Sequence, residues 1–153
     1  MTGPLARLAE LGLDLPPVTP PLAAYVPAVR SGNHVYVSGQ LPMVDGELLA
    51  TGKVGAAVTP EQAKDLARRC ALNGLAAIHA LVGLDQVERV VKVTGFVASA
   101  PGFVGQPAVI NGASELLGEV FGQAGQHARS AVGVSELPLD APVEVELIIE
   151  VAP

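Results

Sequence analysis

Cysteine occurs once in these 153 residues, at Cys70, and tryptophan does not occur at all. A lone thiol excludes an intrachain disulfide and any metal site built from several cysteines, and it is compatible with the cytosol. With only two Tyr and three Phe against 50% hydrophobic residues, the core has to be aliphatic, built mainly from Ala, Val and Leu. Charge is also scarce: 16% of residues are charged, where roughly 25% is usual, which implies surface buried against another subunit. Positive charge is the scarcer sign, nine Lys and Arg against fifteen Asp and Glu. The net charge of -6 gives no footprint for a phosphate backbone, so nucleic acid is not an expected partner. No apolar run approaches the roughly 20 residues that cross a bilayer, and the first 20 residues lack a basic segment followed by an apolar one. The expectation is a soluble, cytoplasmic protein with no membrane partner.

Proline and glycine are plentiful, and they punctuate the chain. Residues 4 to 12 read as a short helix with Leu5, Leu8, Ala9 and Leu11 on one side, ending at Gly12. From Pro16 to Pro21 the prolines fix φ and withhold donors, which predicts an extended arm laid on the surface. Residues 1–21 are therefore read as an N-terminal helix and arm, and 22–153 as one domain of ordinary size.

Val26 to Arg30 and His34 to Ser38 read as a hairpin about Ser31-Gly32-Asn33, and Asp45-Gly46 is a second turn signal before a brief strand at Glu47 to Leu49. The clearest helix runs from Pro60 to about Val82. Thr59 and Gln62 form a capping box, Pro60 suits the first helical position, and Gly83 stops the helix. Ala63, Leu66, Ala67, Cys70, Ala71, Gly74, Leu75, Ile78 and Leu81 share its apolar face, with Lys64, Asp65, Arg68, Arg69 and Asn73 mostly opposite. Arg89 to Ala98 is a Val-rich strand, Pro107 to Phe121 a second helix, and Ala128 to Val134 and Val143 to Val151 are the last strands. This order predicts an α+β domain with two helices packed on one face of a mixed sheet. In the last strand Val145, Leu147, Ile149 and Val151 alternate with Glu146, Ile148 and Glu150, so the other face is semi-polar, as an oligomer packing sheet to sheet requires.

The unexplained charge is Arg129, in the apolar run Ala128-Arg129-Ser130-Ala131-Val132-Gly133-Val134. Its guanidinium either faces water or an ion-pair partner, or grips an anion with its planar fork. Other polar residues have equally plain readings. Glu144, Glu146 and Glu150 can be a solvated or interface strand face, Tyr25 a packing residue, and Asn111 a polar group at a helix start. His34, His79 and His127 are scattered over hairpin, helix and loop without carboxylates at ligand spacing, so no metal site is expected. Ser38-Gly39-Gln40 is not a nucleophile elbow, and the glycines at 102, 105, 122 and 125 carry no phosphate fingerprint.

Tyr25, then Val37-Ser38-Gly39-Gln40-Leu41-Pro42, then Asn111, then Arg129-Ser130 with Leu137-Pro138, then Val143-Glu144-Val145-Glu146 together resemble the Rid/YjgF family, also known as L-PSP endoribonucleases or translation initiation inhibitors. The resemblance runs from about Tyr25 to Val151, and five motifs in order carry it. The first 20 residues look like the N-terminal extension of a subgroup. The resemblance implies a chorismate-mutase-like fold assembled as a homotrimer, with sites in clefts between subunits. It implies hydrolysis of reactive 2-enamino and 2-imino acids, such as 2-aminoacrylate, to 2-oxo acids and ammonia. On that basis Arg129 would hold the substrate carboxylate, and Glu144 would position or protonate the attacking water and the leaving nitrogen. Gly39 would make a backbone contact in the Ser-Gly-Gln turn, Ser130 would stand beside the clamp, and Tyr25 and Asn111 would line the cleft from a neighbouring subunit. An imine is already electrophilic, so an anchor, a placed water and a proton shuttle suffice, and no metal or organic cofactor is required. Ala131 stands where the family often has Cys, which removes any reaction that needs a thiol there. The alternative is a non-catalytic trimeric module that binds small carboxylates and regulates a partner; ribonuclease activity, the older family label, has no paired His or Lys set to support it.

Overall fold

The computed structural model describes residues 3–21 and 23–153. Met1, Thr2 and Leu22, the last being the first residue of the expected 22–153 domain, lie outside the described residues. In chain order the elements are α1 (Pro4–Glu10), β1 (Ala28–Ser31), β2 (His34–Gln40), β3 (Met43–Val44), β4 (Glu47–Leu48), α2 (Pro60–Val82), β5 (Val87–Ala98), α3 (Gln106–Phe121), β6 (Ala128–Val134) and β7 (Val143–Val151). Five strands form one sheet in the order β1-β2-β7-β5-β6, antiparallel except for the parallel β5-β6 pair, and β3 and β4 form a separate hairpin. The fold is the expected α+β class with a mixed sheet.

Local chemistry explains most boundaries. Gly32 (φ 60) and Asn33 make a two-residue link between β1 and β2. Asp45 (φ 53) and Gly46 (φ 81) both lie in the left-handed region that a type I′ hairpin turn demands. At the start of α2 the Thr59 hydroxyl accepts from Gln62 N at 3.1 Å, and Thr59 N donates to the Gln62 side chain at 2.9 Å. Gly83, at φ 84, ends the helix.

Helices α2 and α3 pack on the sheet, as expected, and the short helix α1 lies against α3. The seven-residue helix is held by Leu8, which is buried in the core, with Leu11, Leu13 and Leu15 packed behind it, and by Arg7 Nε donating to Glu119 O at 2.8 Å. The arm is thus anchored at its root, a consequence of Leu spacing that a surface reading of the prolines does not convey. Helices α2 and α3 approach closely because position 112 is glycine, where a Cβ would overlap the Lys64 carbonyl. Exposed ion pairs, Lys64 with Glu115 and Arg68 with Glu119, cross the same seam and add little.

Helical spacing misplaces two residues of α2. Leu81 is exposed on the last turn, whereas Asn73 is buried. The Asn73 amide donates to Leu41 O at 3.1 Å and Met43 O at 3.0 Å, so it satisfies the carbonyls of the segment that leaves β2. Asn73→Ala would remove both bonds but leave neither carbonyl bare, since Met43 O keeps Arg69 Nε at 3.0 Å and Leu41 O keeps Met43 N at 2.8 Å. The cost is then that of two ordinary net bonds, about 0.5–1.5 kcal/mol each. A loss of about 1–3 kcal/mol in urea unfolding is expected; no measurable loss would mean that the remaining donors hold the segment alone.

Along β7, Val143, Val145, Leu147, Ile149 and Val151 are buried under the helices, while Glu144, Glu146, Ile148 and Glu150 turn to the other face. That face carries Val29, Tyr36 and Val132 at 50%, 48% and 43% exposure, so the described chain leaves that part of it uncovered. Among the described residues no helix is long and apolar enough to cross a membrane.

Candidate functional site

Strand register decides where Arg129 points. It pairs with Val93, which pairs in turn with Leu147, and both are buried beneath the helices. Arg129 therefore projects to the helix side, at the sheet edge, since β6 has no strand beyond it. There α3 supplies its contacts: Nη1 donates to Asn111 Oδ1 at 2.8 Å and Ser114 Oγ at 3.2 Å, and Nη2 donates to Pro107 O at 3.3 Å. All three acceptors are neutral, and among the described residues no ion pair includes Arg129. A guanidinium has five N–H donors. The two left over are on Nε and Nη2, the nitrogens of the side-on fork that meets a carboxylate bidentately.

A second layer fixes this arrangement. His127 Nδ1 lies 2.6 Å from Gly125 O, and Nε2 lies 2.8 Å from Ser114 Oγ. A carbonyl only accepts, so Nδ1–H donates to it; in the neutral ring Nε2 then accepts from the Ser114 hydroxyl, which leaves the Ser114 oxygen to accept from Arg129. His127 thus holds Ser114, and through it the Arg129 guanidinium, in place. Ser114 was not anticipated; it lies three residues after Asn111, one helical turn along the same face.

Tyr25, Gly39 and Glu144 gather elsewhere, around a cavity of about 300 Å³. The Ser38-Gly39-Gln40 segment is not a turn, as expected, but the bulged end of β2. Between Val37 and Gln40 the strand advances three residues while β7 advances two, from Leu147 to Val145. Ser38 is tied down by its hydroxyl donating to Val26 O at 2.6 Å and its N–H to Pro27 O at 2.9 Å. The extra residue brings Gly39 under Glu144, where a Cβ would overlap the carboxyl group. Only glycine lets the carboxylate lie against the backbone.

Burial, and then the charge of Glu146 on the same face, raise the Glu144 pKa above the ordinary carboxylate value. A folded-state pKa above the unfolded one means that the stability Glu144 contributes is complete below the ordinary carboxylate range and is lost as pH rises through the folded value. Glu144→Gln should therefore gain in Tm relative to the parent as pH is raised from about 4 to about 7. A difference that stays constant over that interval would show that the carboxyl group is fully solvated, and one that shrinks would show that its charge is stabilised by the fold. Cys70 lies behind this site, buried, with its thiol toward Val143 O at 3.9 Å. Burial, and then the Glu144 charge, push its pKa well up, so it remains a protonated core thiol as its place on the apolar face implied. Ala131 packs against the core on the Arg129 side of β6.

Within one chain the two groups do not meet. Strand β5 lies between β6 and β7, a lateral step of about 9.5 Å. Arg129 is level with Leu147, three residues and so roughly 10 Å along β7 from Glu144. They also face opposite sides of the sheet. Asn111 belongs with Arg129, and Tyr25 with Glu144, so these two do not share one wall. Ser130 pairs with Thr94 and turns to the open face, away from the side chain of Arg129. The described chain thus carries two separate groups, a guanidinium fork at a sheet edge and a carboxyl group in a lined cavity.

Together the described residues give a small α+β protein with an unpaired Arg fork at a sheet edge and a carboxyl group in a lined cavity. The chain belongs to the Rid/YjgF family: residues 17–151 match the family model described as Endoribonuclease L-PSP. It is 46% identical over 147 residues to Protein TCP17 of Trypanosoma cruzi, covering 95% of this chain and 92% of that protein. It is 35% identical over 135 residues to the 2-iminobutanoate/2-iminopropanoate deaminase of Dermatophagoides farinae, covering 87% and 91%. A solved structure of a protein of unknown function from Agrobacterium tumefaciens is 48% identical and superposes with a TM-score of 0.90 over 97% of this chain and 92% of that one.

Proposed function

We propose that this protein hydrolyses reactive 2-imino acids, and the 2-enamino acids in equilibrium with them, to 2-oxo acids and ammonia. The observation that carries the reading is Arg129: a guanidinium held by three neutral acceptors, with no carboxylate to balance it among the described residues and two fork donors to spare. The deaminase relative of Dermatophagoides farinae supports the same reaction.

In this mechanism Arg129 takes the substrate carboxylate side-on, which fixes the imine carbon. Water adds to that carbon as the C=N π pair moves to nitrogen, and Glu144 carries a proton from the water to that nitrogen. The tetrahedral carbinolamine then collapses: Glu144 passes the hydroxyl proton to the amino nitrogen, the oxygen lone pair forms the C=O of the 2-oxo group, and the C–N bond breaks to release ammonia. A carboxyl group with a raised pKa suits both halves of this transfer, since it must give and take a proton near neutrality. Arg129 and Glu144 of one chain are too far apart to hold one small molecule, so the fork of one copy serves the pocket of the next, in a homotrimer that covers the open sheet face with Val29, Tyr36 and Val132.

The test generates imino acids in situ with an amino-acid oxidase and lets semicarbazide compete for them. The purified protein should lower the rate of semicarbazone formation and raise that of ammonia release, and it should sediment as a trimer. Absence of any acceleration across several imino acids would overturn the reading.

A further inference from the structure

Glu144 does not look out onto open solvent. After the anchored residues Leu11, Leu13 and Leu15, the proline arm crosses in front of it. Thr19, Pro20, Pro21 and Ala23 form one wall of the cavity, facing Leu41 and Met43. Proline's fixed φ keeps such a wall in shape without backbone hydrogen bonds of its own. The one buried amide in the lining, that of Gln40, already donates to Ser38 O at 3.0 Å. Away from Glu144 the cavity thus offers mostly hydrocarbon. Its volume of about 300 Å³ equals that of about ten liquid water molecules and is at the lower end of organic-ligand pockets. The six heavy atoms of a three-carbon imino acid would leave much of it filled with water against apolar walls.

We propose that the arm is a specificity wall, and that the Glu144 pocket takes substrates bearing an extended apolar side chain, branched aliphatic or aromatic, in preference to three- and four-carbon acids. This rests on the hydrolase reading above and adds the substrate class to it. Each side-chain methylene that displaces water from the arm and from Leu41 and Met43 gains about fourfold in kcat/KM, the ordinary return for a buried CH₂.

Two variants of the arm test it alongside the parent. In Pro20→Asn/Pro21→Asn the exposed wall becomes polar without new charge; in Ala23→Phe the cavity is filled from the wall side. The imines of alanine, 2-aminobutyrate, leucine and phenylalanine are compared as ratios of kcat/KM. In the parent the leucine-to-alanine ratio should exceed about tenfold. The Asn variant should reduce that ratio several-fold, and Ala23→Phe should lower the phenylalanine-to-aminobutyrate ratio. Thermal stabilisation by pyruvate, 2-oxobutanoate, 4-methyl-2-oxopentanoate and phenylpyruvate should follow the same order, since a ligand stabilises the fold in proportion to its affinity. Hydrolysis of all four imines with no dependence on chain length, or ratios unchanged by both variants, would overturn the specificity wall and leave the hydrolase reading standing. No hydrolysis at all would remove the hydrolase reading; stabilisation that still rises with chain length would then retain the apolar pocket, and a flat series would remove both.

Discussion

Arg129→Ala is expected to lower kcat/KM for any accepted imino acid by at least about 30-fold while the protein stays folded. The fork supplies a charge-assisted, bidentate hold on the substrate carboxylate, and loss of one partner from such a contact costs 2–5 kcal/mol, which at 1.4 kcal/mol per decade is roughly 30- to 4,000-fold. The cost to the fold is much smaller. The acceptors released by the truncation, Asn111 Oδ1, Ser114 Oγ and Pro107 O, lie at or near the surface and can be met by water. A loss near 1 kcal/mol would move Tm by only about 2–4 °C at this chain length. Arg129→Lys distinguishes a fork from a mere positive charge: an ammonium keeps the charge but presents no parallel pair of donors, so it should recover less than a tenth of the lost kcat/KM. Full recovery by Lys would reduce Arg129 to electrostatic attraction, and undiminished turnover in Arg129→Ala would remove it from the site.

How far these features could be read from the chain depends on whether they are local. The capping box at Thr59 and Gln62, the turns at Gly32 and Asp45-Gly46, and the alternation along β7 involve neighbours a few residues apart, and each appears in the fold as the sequence implied. The class of fold followed from the same periodicities, and the aliphatic core from composition. Asn73 resisted this reading because its partners, Leu41 O and Met43 O, are some thirty residues away; helical spacing alone assigns a polar residue to water. The bulge at Ser38-Gly39 was invisible for a similar reason, since it exists only as a mismatch of register with β7. Arg129 stood out by itself as a charge among apolar residues. That it and Glu144 face opposite sides of the sheet required the pairing through Val93 and Phe96, which no pattern along one strand encodes.

Gly39→Ala should cost activity by the same route as loss of Glu144 itself. A methyl group at position 39 would overlap the Glu144 carboxyl and press on its Cγ at 3.1 Å. The obstructed group is the end of a flexible side chain, so the strand keeps its bulge and the carboxyl swings aside. The fold should therefore survive with a Tm change of a few degrees, while the acid is removed from its position over the backbone. Placed proton transfer is worth about 10²- to 10⁴-fold, and Glu144→Gln should lose about that much in kcat. Gly39→Ala should lose about 10- to 100-fold, because a displaced carboxyl still reaches the substrate part of the time. The decisive comparison is the double variant. Two substitutions that disable one group do not multiply, so Gly39→Ala/Glu144→Gln should be no slower than Glu144→Gln, within about threefold. The raised pKa supplies a second readout: once the carboxyl is pushed from its half-buried seat, the acid limb of the pH–rate profile should move toward the ordinary carboxylate range in Gly39→Ala. Independent, multiplying losses together with an unshifted limb would mean that Gly39 serves the substrate through its own backbone and leaves Glu144 undisturbed.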